Sequence, residues 1–378
     1  MKIALICTEK IPVPPIRGGA IQQYIDGILP YIREKHQITV YCVQDPELPN
    51  EELSDNVRYV RVEGKGTLSY IYSVRDRIED DFDLVHVFNR PLWVNILSEK
   101  LPESCQMSLS LHNEMFLPKK ISEEEAKQCI ARVKFITTVS NFVSSGVKEL
   151  YPEAEGKLRT VYSGVDIIKY QPVWSQEAAL ARKELKEKYG LTNKRIILYV
   201  GRLSVKKGSH VLIKAMDRVI AENPDTALVV VGSKRFGDNT EDSYVQGVKQ
   251  LTNKSDAKVI FTGFLPPSEV VSHYYLGDIF VCASQWDEPL ARVHYEAMAA
   301  GLPIITTNRG GNAEVMTMFD NGIILNKYDN PLVFARAINY LLDHPEMALK
   351  MGRRGRQLAE EKYSWERVAG ELLELFES

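Results

Sequence analysis

Residues 279–301 read IFVCASQWDEPLARVHYEAMAAG, an apolar run followed at once by polar residues and then by a segment of small residues. The run Ile279–Ala283 shows no alternation of apolar and polar residues, which is typical of a strand buried on both faces of a parallel sheet. Pro289 suits the first turn of a helix and Gly301 the residue that ends one. The stretch therefore predicts a strand that leads directly into a helix, the repeating unit of an α/β fold.

Short apolar runs separated by longer amphipathic segments recur along the whole chain. The predicted strands are Lys2–Cys7, Ile38–Val43, Val57–Val62, Leu84–Phe88, Met107–Leu111 and Phe135–Val139 in the first half, and Ile196–Val200, Ala227–Val231, Val259–Phe264, Ile279–Ala283, Pro303–Thr307 and Gly322–Leu325 in the second. We predict an α/β protein of two Rossmann-like, doubly wound parallel-sheet domains, residues 1–165 and 194–363, joined by a linker over 166–193. The amphipathic tail 365–376 is either an ordinary last helix or one that packs back across the domain join.

Composition indicates a soluble globular protein without a strongly charged partner. Of 378 residues, 44% are hydrophobic and 26% charged, and the formal net charge is −3, so nothing favours nucleic acid or an anionic membrane. The five cysteines form no C-x-x-C pair, which argues against a disulfide framework or a zinc site. Only five apolar residues follow Met1-Lys2, too few for a signal peptide, and no run approaches the ~20 apolar residues of a membrane span. We expect a cytoplasmic protein.

Two glutamates lie beyond the predicted carboxyl end of Ile279–Ala283, where parallel α/β sheets bind ligands. Glu288 comes just before the predicted helix and Glu296 about two turns inside it, with its side chain leaning toward the helix N-terminus. Exposed N–H groups near Leu290–Arg292 suit a diphosphate, and a carboxylate in such a helix can accept hydrogen bonds from ribose hydroxyls. The alternative is a pair of solvated glutamates on a surface helix. The preceding strand and the following small residues favour the ligand-binding interpretation.

Basic residues follow the predicted strand Ile196–Val200, in the segment GRLSVKKG. The guanidinium of Arg202 and the ammonium of Lys207, at a strand's carboxyl end, suit two adjacent phosphates. They would neutralise the charge that develops on a departing nucleoside diphosphate without a metal ion. The alternative is an ordinary solvated turn.

The first half offers weaker candidates. Gly18-Gly19 follows the first strand and opens a helix, so its backbone can approach a ligand closely, although a flexible loop is an equal alternative and the G-x-G-x-x-G fingerprint is absent. His112 ends a predicted strand, where an imidazole either hydrogen-bonds a sugar hydroxyl or lies at the surface. Asp81-Phe82-Asp83 matches a D-x-D metal pattern but precedes its strand, so we expect it at the amino edge and assign no metal site.

These motifs together resemble the family 4 glycosyltransferases of the GT-B fold, whose two Rossmann-like domains face each other across a cleft. The motifs that keep the family's order and spacing are Gly18-Gly19, His112, Gly201-Arg202 with Lys207-Gly208, Glu288 with Glu296, and Gly310-Gly311 with Glu314. The stretches 8–14, 111–116 and 288–311 look most like the spore-coat-associated glycosyltransferases of Bacillus-type bacteria. The segment 364–378 resembles the family's return helix, which crosses back onto the first domain.

The resemblance implies retaining transfer of a hexose-type sugar from a UDP- or GDP-type donor, without a metal or other cofactor, in spore coat or surface polysaccharide assembly. Arg202 and Lys207 would bind the diphosphate and Glu296 the ribose. Glu288 would touch the donor sugar, and His112 would hydrogen-bond sugar hydroxyls near the reacting carbon. The implied catalytic residues are His112, Arg202, Lys207 and Glu288, and the implied donor-binding residues are Gly18, Gly19, Phe264, Leu265, Leu290, Ala291 and Glu296.

One departure from the family pattern bears on activity. Many members have E-G-F-G-L-P where this chain has Glu288 followed by Pro-Leu-Ala-Arg-Val. Pro289 lacks an N–H and Ala291 is bulkier than glycine. The alternatives to an active transferase are a weak or inactive GT-B protein with a structural role in a coat, and a nucleotide-sugar epimerase, which would need further catalytic acids. The acceptor, a carbohydrate, a lipid-linked group or a protein, is not specified by this scaffold.

Overall fold

The computed structural model describes residues 1–234 and 241–378. They form two compact units, which we call unit 1 (Met1–Gly164 with Trp365–Ser378) and unit 2 (Val165–Ser364). Each unit is built around one largely parallel sheet whose strands alternate with helices, so the predicted fold class is confirmed. Residues 166–193, the predicted linker, lie within unit 2. No helix in these described ranges has the length and apolar character needed to cross a membrane.

Unit 1 contains an eight-stranded sheet. Its strands are β1 (Lys2–Ile6), β2 (Gln37–Val43), β3 (Glu51–Ser54), β4 (Val57–Val62), β5 (Leu84–Phe88), β6 (Gln106–Leu111), β7 (Ile136–Thr138) and β8 (Leu158–Thr160). Its helices before the end of the chain are α1 (Ala20–Ile32), α2 (Thr67–Arg77), α3 (Pro91–Ser98), α4 (Glu123–Arg132) and α5 (Asn141–Leu150). The strand order is β3-β4-β2-β1-β5-β6-β7-β8, so the order reverses between β1 and β5.

Unit 2 contains a six-stranded parallel sheet. Its helices are α6 (Gln176–Lys188), α7 (Ser209–Glu222), α8 (Ser243–Thr252), α9 (Pro267–Tyr274), α10 (Val293–Ala299), α11 (Pro331–Asp343) and α12 (Pro345–Lys362). Its strands are β9 (Arg195–Val200), β10 (Thr226–Val231), β11 (Lys258–Gly263), β12 (Ile279–Cys282), β13 (Ile304–Thr307) and β14 (Gly322–Leu325). The order β11-β10-β9-β12-β13-β14 is that of a Rossmann sheet, whose ligand crevice lies where the order reverses, here between β9 and β12.

The last helix, α13 (Trp365–Glu377), belongs to unit 1 and packs on α1. The Trp365 ring lies so close to Gly27 and Gly164 that a Cβ at either glycine would overlap it. Trp365 also makes an edge contact with Tyr24, with ring centroids 5.6 Å apart. The amphipathic tail is therefore part of the core of unit 1, where it covers one face of the sheet with α1.

Two short strands were not predicted from the sequence. β3 has the polar sequence EELS, lies at the sheet edge and pairs antiparallel with β4. β8 has three residues, none of them fully buried, at the opposite edge. Edge strands have few apolar positions because one side is exposed to water, so they lack the buried-run signature that reveals the central strands.

Candidate active site

The carboxyl ends of β9 and β12 bring two loops of unit 2 together. The backbone N–H of Gln285, in the loop after β12, donates a hydrogen bond of 2.7 Å to the carbonyl oxygen of Lys206, in the loop after β9. Gly208 makes this approach possible because its φ is +74° and a Cβ there would overlap the carbonyl oxygen of Ala283. The two predicted motifs, one basic and one acidic, therefore meet at the switch point of the sheet.

Lys207 and Glu288 form an ion pair between these loops. Lys207 Nζ lies 2.6 Å from Glu288 Oε1, and Glu288 is 7% exposed. Ser284 Oγ and Trp286 Nε1 donate to the other carboxylate oxygen, Oε2, at 2.8 and 2.9 Å. Burial by itself raises the pKa of Glu288, but Lys207 and the two hydrogen bonds more than offset it, so the pKa lies below its ordinary value. Glu288 is therefore an ionised carboxylate at neutral pH.

Glu296 lies in the first turn of α10, not two turns inside a helix as predicted. Its Oε2 atom accepts a 2.7 Å hydrogen bond from the hydroxyl of Tyr274, and Arg292 lies 3.8 Å from its Oε1 atom. The carboxylate is nearly buried. Tyr274, the last residue of α9, is a partner that the sequence pattern did not indicate.

Helix α10 begins at Val293, so the prediction that Pro289 occupies its first turn is wrong. The segment from Glu288 to Ala291 is held outside the helix by hydrogen bonds at both ends. Gly311 N–H donates to the carbonyl oxygen of Glu288 at 2.8 Å, and Ala291 N–H donates to Asn312 Oδ1 at 3.0 Å. His294 Nδ1–H donates to the carbonyl oxygen of Ala291 at 2.9 Å. The Ala291 N–H, expected to face a diphosphate, is therefore already bonded to a side chain.

The remaining candidates of unit 2 follow strands of the same sheet. Arg202 lies two residues beyond β9 and is exposed, and its carbonyl oxygen accepts a 3.2 Å hydrogen bond from the Tyr199 hydroxyl. Phe264 and Leu265 are half-buried and follow β11, the edge strand two places from β9. Leu290 is nearly buried within the segment held by Asn312. Lys207, Glu288, Leu290 and Ala291 are thus neighbours in the structure, whereas Phe264 and Leu265 follow a more distant strand.

In unit 1, His112 follows β6. Its backbone N–H donates a 3.0 Å hydrogen bond to Asn89 Oδ1, and its Nε2 atom lies 3.2 Å from Ser110 Oγ. Its ring meets Tyr24 edge-on at a centroid distance of 4.8 Å. Ser110 and Tyr24 therefore contact the imidazole, and Asn89 holds the backbone of His112, at the carboxyl end of the sheet.

Gly18 and Gly19 also follow the carboxyl end of the unit 1 sheet, in the connection from β1 to α1. Their φ angles are +84° and +99°, values that L side chains rarely adopt. Gly19 is the residue that precedes α1. A glycine is therefore required at both positions by the backbone itself.

A buried ion pair at the switch point of unit 1 was missed by sequence reasoning. Arg90, after β5, donates through one nitrogen to both carboxylate oxygens of Glu9, after β1, at 2.7 and 2.8 Å. Glu9 is 8% exposed; burial raises its pKa, but Arg90, a backbone N–H and Thr67 together more than offset this and hold the pKa below its ordinary value. In the sequence, the one indication of this pair was the position of both residues shortly after β1 and β5, the strands that flank the reversal of strand order.

The D-x-D motif lies at the amino edge of the sheet, as predicted. Lys2, the first residue of β1, donates through its backbone N–H to Asp83 Oδ2 at 2.7 Å, and its ammonium lies 2.6 Å from Asp81 Oδ1. Within residues 1–234 and 241–378, no group of three or more His, Cys, Asp or Glu side chains is arranged to hold a metal ion. All five cysteine thiols are free and buried.

Unit 2 therefore presents an ammonium and an ionised carboxylate at the switch point of a Rossmann sheet, an arrangement suited to an anionic ligand with hydroxyl groups. Family comparison agrees with this chemistry. The model described as "Glycosyl transferases group 1" matches residues 181–358, and "Glycosyltransferase Family 4" matches residues 21–169. The chain belongs to the group 1 and family 4 glycosyltransferases.

Individual relatives confirm the family predicted from the motifs. Spore coat protein SA of Bacillus subtilis (strain 168) is 46% identical over 100% of this chain and 99% of its own length. YtcC of the same strain is 42% identical over 100% of this chain and 92% of its own length. The crystal structure of Anabaena HepE in complex with UDP-glucose has a TM-score of 0.77 at 18% identity, and the match covers 100% of this chain and 99% of that one. The fold is GT-B.

Proposed function

We propose that this glycosyltransferase is a retaining, metal-independent enzyme that moves a hexose-type sugar from a UDP- or GDP-type donor to an acceptor hydroxyl. The observation that carries the proposal is the 2.6 Å pair of Lys207 and Glu288 at the switch point of unit 2. An ammonium beside an ionised carboxylate at this position suits a ligand that has a diphosphate next to a sugar. Family membership supports retention of the anomeric configuration.

Lys207 is proposed to stabilise the departing diphosphate. When the bond between the sugar C1 and the β-phosphate oxygen breaks, the electron pair leaves with that oxygen, and negative charge grows on the nucleoside diphosphate. A lysine ammonium has three N–H donors, so Lys207 can keep its bond to Glu288 and still donate to phosphate oxygens. Arg202, exposed in the same loop, is proposed as the second cation. Fixed positive groups at a developing charge are a large source of catalysis.

The remaining residues are proposed as contacts of the donor. Glu288 would accept a hydrogen bond from a sugar hydroxyl, and Glu296 would bind the ribose. The proposed contacts that rest on the family resemblance are His112 at the sugar, Gly18 and Gly19 beside the phosphates, Leu290 and Ala291 along the donor, and Phe264 and Leu265 near the base. The same resemblance supports an acceptor-side role for unit 1 and a donor-side role for unit 2.

The cellular setting is proposed from the relatives. The sequence match to spore coat protein SA spans the full chain, and the name of that relative supports a role in spore coat or surface polysaccharide assembly. We propose a cytoplasmic enzyme that associates with the coat, and fractionation of sporulating cells with an antibody to the chain tests that location. Recovery only from vegetative cell surfaces would contradict it.

Incubation of the chain with radiolabelled UDP- and GDP-hexoses, with and without simple sugar acceptors, tests the activity. We expect release of nucleoside diphosphate, and a Lys207→Ala variant slower by on the order of 10²–10³. The matched control is Lys214→Ala, an exposed lysine on α7. An epimerised donor would support a nucleotide-sugar epimerase, and donor binding without turnover would support a structural coat protein.

A further inference from the structure

The two oxygens of the Glu288 carboxylate have different surroundings. Oε2 accepts hydrogen bonds from Ser284 Oγ at 2.8 Å and Trp286 Nε1 at 2.9 Å. Oε1 accepts from Lys207 at 2.6 Å. An ionised carboxylate has about four acceptor positions, two on each oxygen. Among the residues that the structure describes, both positions on Oε2 are therefore used, and one position on Oε1 is left.

We propose that Trp286, together with Ser284, occupies both acceptor positions on Oε2 of Glu288. The donor sugar then hydrogen-bonds to a single acceptor position on Oε1, beside Lys207. This inference rests on the proposed function. Trp286 is then a positioning residue, because it acts on the sugar through Glu288. One sugar hydroxyl donates to Oε1 while Lys207 donates to the adjacent phosphate.

The indole of Trp286 is held in the orientation that this role requires. Its backbone neighbour Gln285 donates to the carbonyl oxygen of Lys206, and the ammonium of Lys206 lies 4.6 Å from the centre of the indole ring. Successive lysines thus contact this loop differently: Lys206 holds the aromatic ring, and Lys207 holds the carboxylate. Without the indole N–H, the Ser284 hydroxyl remains on Oε2 and one acceptor position is released, so the carboxylate can rotate and present Oε2 to a second sugar hydroxyl.

The same hydrogen bond supports the ionised form of Glu288. The other titratable groups that interact with this carboxylate are Lys207, Tyr199 of β9, Cys282 of β12 and His294 of α10. Burial lowers the pKa of His294, but the neighbouring Cys282, the Ala291 carbonyl and the Glu288 carboxylate raise it overall, so this imidazole also titrates as pH falls. A Trp286→Phe substitution changes none of these groups. The difference between its pH profile and that of the unaltered chain therefore reports on Glu288 and, through it, on His294.

The test compares Trp286→Phe with Trp174→Phe, a tryptophan of the same unit that is 43% exposed and contacts Gly301. The substrates are UDP-glucose or GDP-mannose, whichever the unaltered chain turns over, and its monodeoxy analogues. In the unaltered chain and in Trp174→Phe, we expect one deoxy position to reduce kcat/KM by about ten- to a hundredfold, the worth of one hydrogen bond to a charged group. In Trp286→Phe, we expect a smaller loss of kcat/KM at that deoxy position. We also expect the acid limb of the kcat profile to move to higher pH.

Two results would overturn the inference: equal losses at two or more deoxy positions in the unaltered chain, or a Trp286→Phe variant that matches Trp174→Phe in both selectivity and pH profile. If no donor is turned over, the proposed function fails, and the hydrogen bond is still tested by unfolding in urea between pH about 2 and 6. The lowered pKa of Glu288 stabilises the fold above its ordinary pKa, and this is lost as pH falls, so the slope should be shallower in Trp286→Phe. An unchanged slope would contradict the inference. Ser284→Ala, which removes the other donor, replaces Trp286→Phe if that variant does not fold.

Discussion

The ammonium of Lys207 and the carboxylate of Glu288 are 81 positions apart in sequence and 2.6 Å apart in the structure. They meet because β9 and β12 are neighbours in the sheet, although five other elements lie between Gly208 and β12 in the described ranges: α7, β10, α8, β11 and α9. The pair is largely buried, so its electrostatic interaction is screened less than that of a surface pair.

Glu288→Gln is expected mainly to lower kcat, by on the order of 10²–10³. The amide keeps the shape of the side chain but removes the charge that pairs with Lys207, where charge changes as the donor bond breaks. Steady-state kinetics of nucleotide release measures this change in kcat. A rise in KM with unchanged kcat would place Glu288 among residues that bind ground and transition states equally.

Glu296→Ala is expected mainly to raise KM for the donor, by roughly ten- to a hundredfold, because a hydrogen bond of a carboxylate to ribose is made in both ground and transition states. The control is Tyr274→Phe, which removes the 2.7 Å hydrogen bond to Glu296 but keeps the carboxylate. Its effect on KM should be smaller. A Glu296→Ala variant with unchanged KM and kcat would show that α10 does not contact the donor.

Stability should fall in acid partly because of His86, a buried residue of β5. Burial lowers its pKa to about 3, so the ring is neutral in the fold but binds a proton in the unfolded chain below its ordinary pKa. Its contribution is present above pH about 6.5 and is lost as pH falls toward 3, by at most about 1.4 kcal/mol per pH unit. Urea unfolding of His86→Leu should show a shallower pH slope than the unaltered chain, and the exposed His344→Gln should not. Equal slopes for all three would contradict the burial argument.

Turnover should be insensitive to EDTA. In the proposal, Lys207 and Arg202 supply the positive charge that a divalent ion would otherwise provide. Nucleotide release is measured before and after dialysis against EDTA, and again after magnesium or manganese is added. Activity that disappears with EDTA and returns with either metal would overturn the metal-independent mechanism.

The central strands were predictable because they are apolar throughout and buried on both faces, as in Leu84–Phe88, where prediction and structure agree at both ends. The edge strands β3 and β8 of unit 1 were not predicted, because their side chains are largely exposed to water and include polar residues. The positions of Lys207 and Glu288 beyond the carboxyl ends of strands were predicted, but their ion pair was not, because it depends on which strands are neighbours in the sheet. The non-helical path of Pro289–Ala291 was not predicted, because it depends on Asn312, which reaches it from another segment of the chain. Tertiary hydrogen bonds of this kind override the local preference of proline for a first helical turn.

The most direct test of the account is the calorimetric affinity of the chain for UDP and UMP, or for GDP and GMP, in the unaltered protein and in Lys207→Ala. The two ligands of each pair differ only in the β-phosphate, the group that Lys207 is proposed to bind. We expect the unaltered chain and Lys214→Ala to bind the diphosphate about ten- to a hundredfold more tightly than the monophosphate, and we expect most of that preference to disappear in Lys207→Ala. A preference of the same size in Lys207→Ala would show that the diphosphate binds elsewhere and would contradict the proposed site.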